Sequence, residues 1–272
     1  MSLGIVIKAP EGLVLAAESR VTLTASQSKG RELLVNFDNA TKLLSFNNPN
    51  MFIGTVTYGL ASIRLRTAHS FLPEFEATLP PKKRLTVEDF AARLSDFFSQ
   101  QWKNLMPTDY KGPSMVFVVA GFNENDPYGK VFIFEIPSKP SLTEKNPGGE
   151  FGLTWGGQGE FVNRLIQGYE PRLAGLISDA LKLNPQQTKE MMKALKPLQM
   201  QIPLIAMPLQ DCVDLAAFFI RTTIDAQRLT VGVRGCGGPI DLAIITRRDG
   251  LRFIQRKKIT GETGEAIDIV RP

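Results

Sequence analysis

The chain has 272 residues, of which 43% are hydrophobic and 22% charged, and a formal net charge of +5 at neutral pH. Such a length holds one large domain or two small ones around a sizeable core, and the composition is that of an ordinary globular protein. The charge is too modest and too scattered to argue for nucleic-acid binding, and no apolar run approaches the roughly 18 residues that a membrane span requires.

The chain opens on β signals. Residues 3–8 (LGIVIK) and 13–17 (LVLAA) flank the turn APEG and form a hairpin-like pair rich in Val, Ile and Leu. TASQSKGRE then reads as a polar loop, and ATKLLSF and MFIGTVT as two further strands around the turn NNPN. A helical stretch is expected from near Gly59 through LASIRLRTAHSF. The clearest helix is LTVEDFAARLSDFFSQQWKNLM. Thr86 can cap it with Asp89 three positions on, and Phe90, Leu94, Phe97, Phe98 and Leu105 recur close to a 3.6-residue period.

The strands SMVFVVAGF and KVFIFEIP follow, joined by NENDPYG, and FGLTW leads through GGQGE into a helix FVNRLIQGY. Residues 182–210, with a short helix and several prolines, read as an irregular insertion. The helix DCVDLAAFFIRTTIDAQR presents a broad apolar face, and PIDLAIITRRDG and LRFIQRKKI close the chain as a strand pair. Alternating blocks of strands and helices predict an α+β fold, with antiparallel sheets sandwiched between helices in a single domain over residues 1–272.

Several chemistries find little support. The basic stretch ITRRDGLRFIQRKKITG alternates like a strand with a solvated face. Cys212 and Cys236 have neither metal-ligand spacing nor a nearby histidine, and with no signal peptide they point to a reducing, cytoplasmic compartment. The single histidine, His69, lies in a predicted amphipathic helix, with nothing near it to build a Ser–His–Asp or Cys–His centre.

Four stretches, in order, resemble the proteasome β-type subunit family. GIVIKAPEGLVLAAESRVTL is similar to its opening strand pair, which ends in a small-small-acid-x-Arg motif. FIGTVTYGLASIR resembles its Gly-containing strand leading into the first long helix, and TWGGQGEFV its Gly-Ser-Gly-Ser turn. VDLAAFFIRTTIDAQR with GGPIDLAIITRRDG is similar to its later helix, Gly-Gly turn and closing strands. The resemblance covers most of the chain apart from residues 23–38 and 182–210. It implies a four-layer αββα sandwich of the N-terminal-nucleophile hydrolase type, assembled into rings.

The resemblance also implies a site. An N-terminal hydroxyl residue is useful because its own α-amine, with a reference pKa of about 7.7–8.0, can serve as general base. Glu18, the acid of the motif, lies sixteen positions after Ser2, which is the family's spacing between acid and nucleophile. Removal of Met1 before the small Ser2 would expose that amine. By the same resemblance Lys42 lowers the hydroxyl's pKa, Glu18 holds Lys42, and Gly54 supplies an oxyanion-hole N–H.

Three features depart from the family. Serine replaces threonine, Gly157 replaces a helper serine, and Val233 or Leu229 stands where a buttressing Asp is usual, with Cys236 at a small-hydroxyl position. Taken alone, Glu18 beside Arg20 is also compatible with a plain ion pair, Lys42 with a solvated side chain, Gly54 with close sheet packing and Cys236 with a small packed residue. The expected function is a serine-type, proteasome-like peptidase acting on peptides or unfolded proteins, with an unfolding ATPase as a potential partner. The alternatives are an inactive scaffold or binding subunit and a small-molecule amidohydrolase on the same fold. No metal, organic cofactor, nucleic acid or membrane is implied.

Overall fold

A computed structural model of the chain describes residues 2–26, 32–261 and 266–267. β1 (Leu3–Ala9) and β2 (Gly12–Glu18) pair antiparallel around a tight turn, with Gly4 opposite Ala17 and Ala9 opposite Gly12. Every residue of both strands is buried, as their nearly unbroken apolar sequence requires of strands covered on both faces. The loop expected at residues 24–32 is strand at both its ends, and its middle, residues 27–31, lies outside the described residues. β3 (Val21–Ser26) and β4 (Glu32–Phe37) form a two-stranded ribbon apart from the main sheets.

β5 (Leu43–Ser45) and β6 (Ile53–Gly59) follow as predicted. The helix expected from Gly59 is absent. Gly59 and Arg64 take φ of +85° and +51°, and a right-handed helix tolerates neither. The short β7 (Ser62–Ile63) and β8 (Arg66–Thr67) occupy the stretch instead. Helical structure begins at a 3-10 turn, Ala68–Phe71, which runs into α1 (Leu72–Ala77).

α2 (Val87–Leu105) starts where its capping signal places it, with Thr86 Oγ1 accepting from the Asp89 N–H at 3.1 Å. Its buried face carries Phe90, Leu94, Phe98 and Trp102. β9 (Met115–Gly121), β10 (Lys130–Ile136) and β11 (Lys139–Lys145) form a meander, followed by β12 (Gly152–Gly157) and α3 (Glu160–Gln167). α4 (Leu173–Ala180) and α5 (Pro185–Leu195) come next. The insertion at 182–210 contains the short helix expected of it, opened by a reciprocal cap between Asn184 and Gln187. α6 (Leu209–Leu229), β13 (Ile240–Thr246) and β14 (Gly250–Gln255) complete the core, and β15 (Ile259–Thr260) pairs with β16 (Ala266–Ile267).

Two five-stranded sheets result, ordered β12-β1-β2-β13-β14 and β11-β10-β9-β6-β5, with every neighbouring pair antiparallel. The period-2 alternation of β1 divides its side chains between two cores. Leu3, Ile5 and Ile7 pack with Phe219 and Ile220 of α6, whereas Val6 joins Leu13, Leu15, Val56 and Val118 between the sheets. A third core holds α2 against the outer face of the second sheet through Phe117 and Phe134. The order of layers is helix, sheet, sheet, helix. Each fully buried Leu, Ile or Val contributes about 1.5–3 kcal/mol, so β1 and β2 are anchored from both sides. No described helix is long and apolar enough to cross a membrane.

Candidate active site

The start of β1 and the end of β2 meet at one end of the first sheet. Glu18, the last residue of β2, has a side chain with no exposed surface. Its carboxylate is fully occupied: the Leu3 N–H (3.2 Å) and the Lys42 ammonium donate to Oε1, and the Arg20 N–H (2.8 Å) and Gly237 N–H (3.0 Å) to Oε2. A buried carboxylate is tolerable only with such a set of donors.

Lys42 enters from the other sheet, on the segment leading into β5, where its carbonyl accepts from the Thr57 N–H of β6 at 2.9 Å. Its side chain is 6% exposed and donates to both Glu18 Oε1 and the Arg20 carbonyl. Burial lowers the Lys42 pKa from its usual 10.5, and Glu18 opposes that shift. The amine is thereby brought nearer to the range in which it can take up and release a proton.

Ser2 is buried and lines a narrow cleft with Lys42, Thr57, Tyr58, Leu60 and Met115. Its backbone is held on both sides: its carbonyl accepts from the Gln158 N–H at 2.7 Å, and the next N–H, that of Leu3, goes to Glu18. Gly157 makes this approach feasible. At φ +92° it takes a conformation disfavoured for other residues, and a Cβ there would lie 1.7 Å from the Ser2 carbonyl oxygen.

The structure thus brings Ser2, Glu18 and Lys42 to one place. Gly54 is not among them. It lies mid-strand in β6, opposite Ser45 and Ala120, and a Cβ on it would strike Leu251 and Leu15 in the inter-sheet core. Its role is close packing of the two sheets.

The glycine near the cleft is Gly59, between the cleft residues Tyr58 and Leu60. N–H groups alternate between the two edges of a strand. Thr57 N–H donates toward Lys42 and Leu60 N–H toward Ser114 (2.9 Å each), so the Gly59 N–H faces the Lys42 edge, beyond the end of β5. At Gly59 a Cβ would fall 2.3 Å from the Ser114 oxygen. The signal available in the sequence was its position, at the junction between the apolar strand and the segment that follows.

The supporting polar groups also differ from expectation. Leu229 and Val233 are both exposed, so neither occupies a place beside Glu18. Gln227 of α6 does the bridging instead. Its Oε1 accepts from the Cys236 N–H and its Nε2 donates to Gln158 Oε1, both at 2.9 Å. This chain of amides links α6 to the turn that holds Ser2, and no sequence motif marks it. Burial, reinforced by Glu18, pushes the Cys236 thiol up to about 12, which keeps it protonated and unreactive.

No family model and no curated protein matches the sequence. A solved structure, the helical assembly of the Anbu complex from Pseudomonas aeruginosa, is similar in fold, with a TM-score of 0.55 at 15% identity over 93% of this chain and 84% of that one. At that identity the likeness carries the fold alone: this chain shares the architecture of a chain of the Anbu complex.

Proposed function

We propose that the chain is an N-terminal-nucleophile peptidase of the proteasome-like type, with Ser2 as nucleophile once Met1 is removed. The observation that carries this reading is that Ser2 and Lys42 line one cleft, with Glu18 buried behind it and bound to Lys42. Ser2 Oγ attacks the peptide carbonyl carbon while its proton passes to its own α-amine or to Lys42. The carbonyl electron pair moves onto oxygen, where the Gly59 N–H stabilises it, a contribution of about 2.7–4 kcal/mol for an oxyanion donor. Collapse breaks the C–N bond as the leaving amine takes the proton, and water then cleaves the Ser2 ester. Glu18 keeps Lys42 in place throughout. The substrate class is peptide or unfolded protein, and the chain self-associates, in keeping with the assembly named for its structural neighbour.

A second reading is a non-catalytic scaffold. It is favoured by the neutral Gln158–Gln227 pair at the support of Ser2, where the resemblance implied a hydroxyl and an acid. Intact mass and covalent labelling separate the two. The peptidase reading expects a chain lacking Met1 that takes up one epoxyketone, with labelling lost in Ser2→Ala. Retention of Met1, or labelling that persists in Ser2→Ala, overturns it.

A further inference from the structure

A second cavity, of about 490 Å³, opens beside Gly237, the residue whose N–H holds Glu18. Four guanidiniums line it: Arg20 after β2, Arg221 and Arg228 on α6, and Arg234 in the turn before Cys236. Arg221 and Arg228 are two helical turns apart, and Asp225 between them also faces the cavity, so they share one face of α6. Only two carboxylates share these walls. Asp38 receives two bonds from Arg20, at 2.6 and 2.7 Å, and Asp225 pairs with Arg228 at 3.2 Å. Among the described residues, Arg221 and Arg234 have no carboxylate partner.

Two guanidiniums are therefore uncompensated in a concave site, an arrangement that raises the local concentration of anions. The turn carrying Arg234 is tied in place, because Arg20 Nη1 donates to the carbonyls of Arg234 (3.2 Å) and Cys236 (3.4 Å). The cationic groups approach from a strand end, a helix and a turn. A planar carboxylate can meet forks lying in its own plane, whereas a tetrahedral dianion offers oxygens in several directions. Its two charges also match the two unpaired cations.

We propose that this cavity binds a phosphate group, as inorganic phosphate or as a phosphate ester whose organic part occupies the rest of the volume. The proposal is independent of the peptidase reading. The two sites nonetheless share Arg20, whose N–H and carbonyl bind Glu18 and Lys42 while its guanidinium lines the cavity.

The test is calorimetric and thermal titration of the full chain with sodium phosphate and, separately, adenosine monophosphate, with ionic strength held constant by sodium chloride. Saturable binding at one site per chain, with a rise in Tm, is expected. Arg221 and Arg234 are exposed, so R221Q/R234Q folds and should bind at least about tenfold more weakly for the loss of two charged donors. Arg252→Gln, on β14 and paired with Asp249, should bind like the unaltered chain. Equal affinity for the two probes identifies free phosphate as the ligand, and tighter binding of the nucleotide identifies an ester. No saturable binding beyond the chloride control, or undiminished binding in R221Q/R234Q, overturns the proposal.

Discussion

Burial strips water from Lys42, and Glu18 together with the Arg20 carbonyl replaces it. The two partners are unequally replaceable. Without Lys42, Glu18 keeps three backbone N–H donors, from Leu3, Arg20 and Gly237, whereas without Glu18 those donors lose their acceptor and the buried ammonium keeps only the Arg20 carbonyl. Glu18→Ala should therefore cost more than Lys42→Met in urea denaturation: about 3–5 kcal/mol for the former and no more than about 3 kcal/mol for the latter. Equal costs would show that the carboxylate's backbone donors count for little.

The lowered Lys42 pKa fixes a sign as well. Between that value and 10.5 the unfolded chain holds a proton that the folded chain has released, so stability rises with pH across the window and is flat below it. The urea midpoint of the unaltered chain relative to that of Lys42→Met should therefore rise toward pH 10.5, the opposing contribution of the raised Cys212 and Cys236 thiols being common to both chains. The cysteines give a further check at this scale: with the Cys212 and Cys236 thiols pushed up to about 11 and 12, the native chain should show no fast-reacting thiol at neutral pH. The meeting of the start of β1 with Glu18 was legible because a tight hairpin preserves linear spacing, whereas Lys42 comes from the other sheet and was reached only through the resemblance. Gly54 was misplaced because counting across the NNPN turn loses register, and the Gln158–Gln227 contact spans 69 positions without a charged or metal-binding signature.

Elements were legible where the deciding interaction is local. The start of α2 depends on one hydroxyl and one N–H three residues apart, so Thr86→Ala should cost about 1 kcal/mol of stability in chemical denaturation, with the fold unchanged. The segment after Gly59 misled because its apolar spacing suits a helix while left-handed backbone at Gly59 and Arg64 forbids one. Gly59→Ala should be destabilising on steric grounds alone, since the added methyl meets the Ser114 oxygen. β3 was hidden by its Thr- and Ser-rich composition, although VTLTAS alternates with a period of two, and β4 by the polar stretch that precedes it, although ELLVNF is mostly apolar. β11 was missed because KPSLTEK is an edge strand, and lysine and proline are the residues that protect an edge from further pairing.

At the scale of the whole molecule, the layering follows from strands that read as apolar on both faces and helices that read as apolar on one. The strand order does not, because β12, from past the middle of the sequence, pairs with β1 and nothing local specifies that neighbour. What the layers leave uncovered carries the last prediction. Leu229 is 76% exposed and Val233 58%, Val231 between them is fully exposed, and Phe218 stands half-exposed earlier on α6. Turn segments are ordinarily polar, and each such side chain gains about 1.5–3 kcal/mol when buried. A second copy of the chain is the cover that the self-association reading supplies. Sedimentation at micromolar concentration should therefore show species well above 30.1 kDa. Leu229→Asp with Val231→Asp, which disturbs no buried contact, should leave the helical signal and Tm intact and move the population toward 30.1 kDa. Sedimentation of the unaltered chain as a 30.1 kDa monomer would count against assembly, and assembly that persists in the double variant would place the interface on another face.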